Sequence, residues 1–250
     1  MKKSIIVFLA MLVMTGLQNA QTLDEVLAMN YQARGGLDKL KAVTAVKMTG
    51  TVAVPAQGLE MALTMWQKNP AKIRIENTFQ GQVLVQATDG LKAWTVVPFM
   101  APDAMELSLE QSAQLAEQAD FENALLVFKD KGYRLELLGR EDLEGTPVIT
   151  LKLTRAAGRE IYFYLDAASG LELKSATVRR SGTVETRHEI IYADYKPVSG
   201  LLMPFVIENR TDGKIRVRLI LTAIEINPAV DDAIFVMPAK KAGAAIPGRM

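Results

Sequence analysis

Residues of the kinds that catalyse reactions or bind metals are sparse in this sequence. His188 is the only histidine, and there is no cysteine. Structural zinc sites use four Cys or His ligands, and a catalytic triad would have to be built around this single imidazole. His188 stands among alternating polar residues in the stretch 184–190. We therefore expect it to be an ordinary strand residue, and we predict neither catalytic residues nor a metal site.

The acidic residues and the known motifs point the same way. The adjacent pairs Glu141-Asp142 and Asp231-Asp232 fall in turn-like sequence, where solvated acids are common. Calcium requires six or more oxygen ligands, and no EF-hand spacing is present. The G-x-S-x-G, H-E-x-x-H and glycine-rich phosphate-loop patterns are missing from the sequence. We therefore predict a protein that is not an enzyme and uses no cofactor.

Large, flexible apolar side chains that alternate along predicted strands are more informative. Methionine adapts its shape, so it suits both irregular cores and surfaces that bind varied apolar ligands. Such residues either simply pack between a sheet and its helices or line a deep apolar groove under a helical lid. Our candidate ligand-binding residues are Met61, Leu63, Met65, Val83, Val85, Trp94, Val96, Phe99, Phe163 and Phe205.

Helices are predicted at the start and in the middle of the chain. Thr22 and Glu25 form a capping box, apolar residues follow at helical spacing, and Gly35-Gly36 ends this first helix. A short helical turn follows over residues 37–43. In the middle, residues 106–131 lack strand alternation and are rich in Ala, Glu, Gln and Leu, which predicts one or two helices capped by Ser108 or Asp103.

The rest of the chain predicts strands, because it is rich in Val, Ile, Thr and aromatic residues and is divided by turn signals. Pro98 and Pro102 are expected to end the fifth strand, and Ile234-Phe235-Val236 to dock at an edge. The short gaps favour antiparallel hairpins. The predicted strands are 46–54, 59–68, 72–79, 82–88, 91–97, 133–140, 146–154, 160–166, 171–179, 184–195, 203–209 and 214–227.

This order of elements predicts a single domain of the mainly β (α+β) class. No long linker divides the chain, and no parallel βαβ rhythm is present. The twelve predicted strands fit one curved antiparallel sheet with helices covering one of its faces.

The first residues predict a secretory signal. Lys2 and Lys3 precede an apolar run over residues 5–14, and a small residue, Ala20, precedes the expected cleavage site. The run is shorter than the roughly 20 residues that span a bilayer. We therefore expect a signal peptide at 1–20, the domain at 21–238 and a flexible tail at 239–250.

Removal of the signal would take the net charge from +1 to slightly negative. A near-neutral chain gives no electrostatic argument for nucleic acid or for an anionic membrane. No later segment is long and apolar enough to span a membrane. No cysteine follows the signal, so we expect an exported, soluble, periplasmic protein without a lipid anchor.

Three stretches resemble a known family. Residues 31–43 and the strand that follows resemble the opening of many exported domains of the LolA/LolB-like superfamily, the outer-membrane lipoprotein-sorting proteins. Residues 161–172 resemble its hairpin of strand, Asp, turn and strand. Residues 192–205 resemble its Y-x-D-Y-x-x-x-x-G-x-x-x-P turn. The order of elements is similar over nearly all of the chain after the signal.

The resemblance implies a mainly β (α+β) half-barrel of about eleven strands, with helices covering its concave face. It further implies a periplasmic protein that binds acyl chains in this cavity without catalysis. It also implies that an arginine on an early strand holds lid helices shut. Arg74 occupies the comparable region, although its alternation with Ile73 and Ile75 predicts that it faces away from the helices. The receptor relative carries a lipidated cysteine, which this chain lacks.

Two functions remain open at this point. The first is a carrier of lipid or lipoprotein acyl chains, acting in transport for outer membrane biogenesis. The second is an interaction or sensor module of the same fold, with a filled core and an envelope protein as its partner.

Overall fold

The computed structural model describes residues 21–120, 123–181 and 184–239. The predicted signal peptide and nearly all of the predicted tail lie outside the described residues. Their boundaries therefore stay predictions.

The described chain is mainly strands, with short helices at the start and in the middle. The helices are α1 (Leu23–Ala33), α2 (Leu37–Lys41), α3 (Leu109–Ala119) and α4 (Ala124–Val127). The strands are β1 (Ala45–Val54), β2 (Leu59–Lys68), β3 (Lys72–Phe79), β4 (Gln82–Thr88), β5 (Ala93–Val97), β6 (Ala101–Glu106), β7 (Arg134–Leu143), β8 (Thr146–Thr154), β9 (Glu160–Asp166), β10 (Glu172–Ser181), β11 (Val184–Val198), β12 (Leu201–Thr211) and β13 (Lys214–Ile226).

All the strands belong to one open antiparallel sheet of 13 strands, in the order β6-β5-β4-β3-β2-β1-β13-β12-β11-β10-β9-β8-β7. Two meanders, β1–β6 and β7–β13, are therefore joined where β1 pairs with β13. The edge strands β6 and β7 are connected along the chain through α3 and α4. The helices thus carry the chain from one edge of the sheet to the other.

All twelve strands predicted from the sequence are present, and the structure adds a thirteenth at Ala101–Glu106 that was not predicted. The count of about eleven that the resemblance implied was therefore too low. Pro98 and Pro102 were expected to end the fifth strand and lead into helix. β6 is an edge strand, and an edge tolerates proline because one side of its backbone needs no ladder hydrogen bonds. The helix starts only at Leu109, where Ser108 and Gln111 form a capping box.

The two faces of the sheet differ in their cover. We call the side on which α1, α3 and α4 pack the helix face, and the other side the outer face. On the helix face, Val26 and Leu125 pack on strands β7–β9, and Leu115 packs on Ile73 of β3. Much of the outer face carries cross-strand ion pairs, such as Lys47 Nζ to Glu225 Oε1 at 2.8 Å.

The end of the described chain covers the outer face of β3–β5. Phe235 is fully buried there, and its carbonyl oxygen accepts a 2.8 Å hydrogen bond from Trp94 Nε1. Arg74 Nη1 donates to the Ile234 carbonyl at 2.8 Å, and Asp232 forms ion pairs with lysines of β2 and β3. The expected docking of residues 234–236 is thus observed, but as a 3₁₀ turn (Asp232–Ile234) rather than as a strand.

Candidate functional site

An apolar cluster occupies the centre of the helix face, between the parts covered by α1 and α4 and by α3. Its buried members come from β1, β2, β12 and β13, and several half-buried side chains pack against them. Within the described chain, the cluster includes no residue of a helix. The buried members are Val46, Met48, Val52, Leu63, Phe205, Leu221 and Ile224, and the half-buried ones include Met61, Met65, Met203, Ile207 and Leu219.

Strand register brings these side chains together. On β1, Val52 is opposite Met61 of β2 and Leu219 of β13, and Met48 is opposite Met65 and Ile224. Residues directly opposite in neighbouring strands share a face. We call these residues the central cluster.

The ten residues that the sequence singled out for ligand binding do not line one surface. Met61, Leu63, Met65 and Phe205 belong to the central cluster. Phe163 is also on the helix face, but it packs beneath α1. Val83, Val85, Trp94 and Val96 are on the outer face, and Phe99 is an exposed turn residue.

The split arises at the β3–β4 hairpin. There Ile75 is opposite Gln86 and Glu76 is opposite Val85, so the apolar residues of the two strands face opposite sides. Alternation within a strand was predicted correctly, but the phase between strands depends on the register that the turn sets. By contrast, the sequence reasoning left Leu219 out of the site, although it is opposite Ile207 on the same face.

Helix α3 connects two distant parts of the sheet across the helix face. Its residues Leu115 and Ala119 pack on Ile73 of β3. The Glu117 carboxylate accepts from Arg159 Nη1 at 2.6 Å and lies 3.4 Å from Arg179 Nη2. The hydrogen bond from Arg159 and the charges of the nearby arginines lower the pKa of Glu117.

Arg74 does not contact α3. It lies on the outer face, where its guanidinium is 5.5 Å from the centroid of the Trp94 ring and pairs with Glu76 at 2.6 Å. Its alternation with Ile73 and Ile75 is confirmed.

Two of the concave places in the described part of the structure lie away from the central cluster. A cavity of about 390 Å³ lies at the β6 edge, against Met237. A smaller one of about 190 Å³ lies on the outer face, beside Tyr162 and Arg187.

The ionisable side chains of the described residues form no metal-binding group. Within residues 21–120, 123–181 and 184–239, no three His, Asp or Glu side chains cluster as metal ligands would. His188 lies on β11, with Nδ1 at 3.3 Å from Thr211 Oγ1. None of the described helices is long and apolar enough to cross a membrane.

Comparison with known proteins identifies the fold. No family model matches the sequence, and no curated protein matches it. A LolA superfamily protein from Nitrosomonas europaea matches with a TM-score of 0.57 and 17% identity, over 87% of this chain and 98% of the other. A domain classed as an outer membrane lipoprotein-sorting protein, from Vibrio parahaemolyticus, matches with a TM-score of 0.56 and 13% identity, over 84% and 94%.

The chain has a LolA-like fold. A DUF1329 family protein from Desulfovibrio piger matches similarly, with a TM-score of 0.57 and 12% identity, over 85% of this chain and 96% of the other. At these identities the likeness concerns the fold. This likeness confirms the resemblance that the three sequence stretches indicated.

In this LolA-like fold, the second and third stretches meet the end of α1, which continues into the first stretch. The Asn30 side chain donates to the Gly170 carbonyl at 2.8 Å, and the Arg34 carbonyl accepts from the backbone N–H of Leu202 at 3.0 Å. A Cβ added to Gly35 would clash with the carbonyl oxygen of Gly200. The stretches therefore fasten α1 to the β9–β10 and β11–β12 turns.

A buried carboxyl lies at this junction of the LolA-like fold. Glu172 is only 9% exposed, and its backbone carbonyl accepts from Tyr195 Oη at 2.6 Å. Burial raises the pKa of Glu172 to about 7, although the charge of Arg34 opposes the shift. Burial also raises the pKa values of Tyr192 and Tyr195.

Proposed function

We propose that this protein is a periplasmic carrier that binds the acyl chains of lipids or lipoproteins, without catalysis. In this proposal the sheet is a half-barrel whose concave side is the helix face. The acyl chain lies on the central cluster, and the carrier serves transport in outer membrane biogenesis.

The observation that carries the proposal is the half-buried state of the central cluster. The ends of the helix face are closed by helices, but Met61, Met65 and Leu219 remain partly accessible. Methionine side chains adapt to ligands of varied shape. Each CH₂ of a bound chain would contribute about 0.8 kcal/mol by leaving water, so apolar walls alone can hold a long chain.

Helix α3 supplies a movable cover in this proposal. It is tied to the far half of the sheet by the ion pair between Glu117 and Arg159. The Glu117 side chain is 47% exposed and the Arg159 side chain is 36% exposed. Exposed ion pairs are weak, at about 0–1 kcal/mol. Opening of this cover would therefore cost mainly the burial of Leu115 and Ala119 against Ile73.

The periplasmic location rests on the sequence. The charged start, short apolar run and small residue before position 21 have the order of a secretory signal. In this proposal the carrier moves between membranes and is anchored to neither.

Lipid binding can be tested directly. Protein purified from its native envelope would be analysed by mass spectrometry for co-purifying lipid, and its affinity for a fluorescent fatty acid measured. We expect bound lipid and saturable binding. If neither is found, the carrier proposal fails and the interaction module with a filled core takes its place.

A pair of variants on β2 would locate the binding surface. Met61→Gln with Met65→Gln adds polar groups to the central cluster, and should weaken fatty-acid binding by about tenfold or more. The control is Ala62→Gln with Thr64→Gln, which changes the outer face of the same strand. Equal loss in both variants would place the ligand elsewhere.

A further inference from the structure

Three neighbouring hairpin turns of the first meander carry no charged residue. They are the β1–β2, β3–β4 and β5–β6 turns, and they lie at the same end of the sheet because all the strands are antiparallel. The sequence is uncharged throughout 52–59, 77–88 and 93–102. We call the turns 55–58, 80–82 and 98–100 the uncharged rim.

The uncharged rim is exposed and partly apolar. Phe99 is 65% exposed and Met100 is 73% exposed, at the tip of the β5–β6 hairpin. Val83, beside the β3–β4 turn, is 40% exposed. Burial in the core therefore does not explain the absence of charge.

The opposite ends of the same hairpins are ordinary in composition. Lys68 and Lys72 flank the β2–β3 turn, and Asp89 and Lys92 flank the β4–β5 turn. The lack of charge is thus a property of one end of the sheet.

The second meander places basic residues at this same end. They lie in or beside the β8–β9, β10–β11 and β12–β13 turns, and α3 contributes Glu117 between two of them. These residues are Arg155, Arg159, Arg179, Lys214 and Arg216, and the same turns also carry Glu160, Glu185 and Asp212. At this end of the sheet the second meander is therefore charged, with basic residues in slight excess, whereas the first meander carries no charge in its turns.

We propose that this end of the sheet docks on the surface of an anionic lipid bilayer. Phe and Met side chains at the tip of a turn can enter the boundary between headgroups and acyl chains. Neighbouring turns without charge avoid the cost of desolvating ions. Basic residues close to an anionic surface each add to the attraction.

The docking orientation would also open the helix face toward the bilayer. Val52 and Met61 of the central cluster lie next to the β1–β2 turn of the uncharged rim. An acyl chain leaving the bilayer at this end would meet the central cluster directly. Membrane docking goes beyond the carrier function, since it requires only the rim and not a ligand.

Vesicle co-sedimentation of the purified exported protein tests the proposal. The vesicles contain phosphatidylglycerol and phosphatidylcholine in equal parts, or phosphatidylcholine alone. We expect the protein to bind the anionic vesicles and to bind the neutral vesicles several-fold more weakly. Binding to the anionic vesicles should also fall several-fold when NaCl rises from about 0.05 M to about 0.5 M. The double change Phe99→Ser with Met100→Ser should reduce binding about tenfold or more.

Leu91→Ser is the matched control. Leu91 is 93% exposed in the β4–β5 turn, at the opposite end of the same strands. This variant should bind vesicles as the unaltered protein does.

The proposal is overturned if the unaltered protein does not bind vesicles, or if Leu91→Ser weakens binding as much as the rim variant. Equal binding to neutral vesicles would overturn the role of the basic residues. Fatty-acid binding without vesicle binding would leave the carrier function intact and reject docking alone.

Discussion

The Glu117 carboxylate of α3 accepts a 2.6 Å hydrogen bond from Arg159 Nη1, which belongs to the far half of the sheet. The two residues join segments that the sheet order separates by many strands, since α3 packs on β3 and Arg159 precedes β9. Helix α3 thus packs on β3 through apolar side chains and is tied by this ion pair to the region just before β9.

Replacing Glu117 by Gln should loosen α3 with little loss of global stability. The side chain is 47% exposed, so we expect the free energy of unfolding to fall by less than about 1 kcal/mol. Amide hydrogen exchange of residues 109–119 should become several-fold faster. Glu110→Gln, in the first turn of the same helix, is the control. Equal acceleration in both variants would contradict a specific tie.

The same pair should respond to acid. The pKa of Glu117 is lowered from its ordinary 4.5, so its contribution to stability is full above that value. It is lost as the pH falls through the lower pKa of the folded state. Hydrogen exchange of α3 measured between pH 6 and pH 3 should accelerate at the acid end, and Glu117→Gln should remove that acceleration.

The buried ring of Phe235 should hold the end of the described chain on the sheet. Phe235→Ala is expected to lower the free energy of unfolding by about 3–5 kcal/mol, because a fully buried aromatic side chain is lost. Val236→Ala is the control, since Val236 is 50% exposed, and should change it by no more than about 0.5 kcal/mol. Urea unfolding followed by tryptophan fluorescence measures both, and a small effect of Phe235→Ala would contradict the anchoring role.

Substitutions at two adjacent glycines distinguish the cost of backbone strain from the cost of a steric clash. Gly35 and Gly36 have φ values of 113° and 103°, so alanine is strained at either position. Only at Gly35 does the added Cβ meet the Gly200 carbonyl, whereas nothing lies within 4 Å at Gly36. We expect Gly35→Ala to cost about 1–3 kcal/mol more than Gly36→Ala in thermal unfolding. Equal costs would mean that α1 is not closely seated on the β11–β12 turn.

The buried Glu172 should make the fold less stable as the pH rises. Its pKa is about 7 when folded and about 4.5 as a free side chain, so the folded state binds the proton more strongly. Stability is therefore highest below about pH 4.5 as far as this group is concerned, falls as the pH rises toward 7, and is then constant.

Glu172→Gln tests that dependence. The variant should gain about 1–3 kcal/mol at pH 8 relative to the unaltered protein, and much less at pH 5. Glu208→Gln is a contrast, because Glu208 is also buried but pairs with Arg210 and Arg218, so its loss should destabilise the protein. Urea unfolding at both pH values measures the difference, and a gain that does not depend on pH would refute the assignment.

The local parts of the fold could be predicted because local chemistry determines them. The capping box at Thr22 and Glu25 is present as expected, and the turns between predicted strands match the observed hairpins. The edge strand β6 was missed because Pro102 normally interrupts a ladder, and only the position of the strand at an edge makes it acceptable.

The site could be predicted only in part, because it depends on relations between distant strands. The alternation of Met61, Leu63 and Met65 identified one wall of the central cluster. No local sequence signal determines that Val85 faces the outer side of the sheet. Nor does one determine that Phe235 packs on Trp94, which is far from it in sequence. Such contacts follow from register and from long-range docking.

The pairing of β1 with β13 has a consequence for how the molecule is made. Val46 meets Ile226 at the centre of the sheet, so the middle of the core joins the beginning of the chain to its end. A ribosome must have delivered almost the whole polypeptide before this junction can form. Because contacts between residues far apart in sequence form slowly, we expect the edge of β1 that pairs with β13 to stay unpaired until β13 is available. For the exported protein that we propose, a translocation channel that accepts only unfolded polypeptide would receive a chain in which this junction has not yet formed.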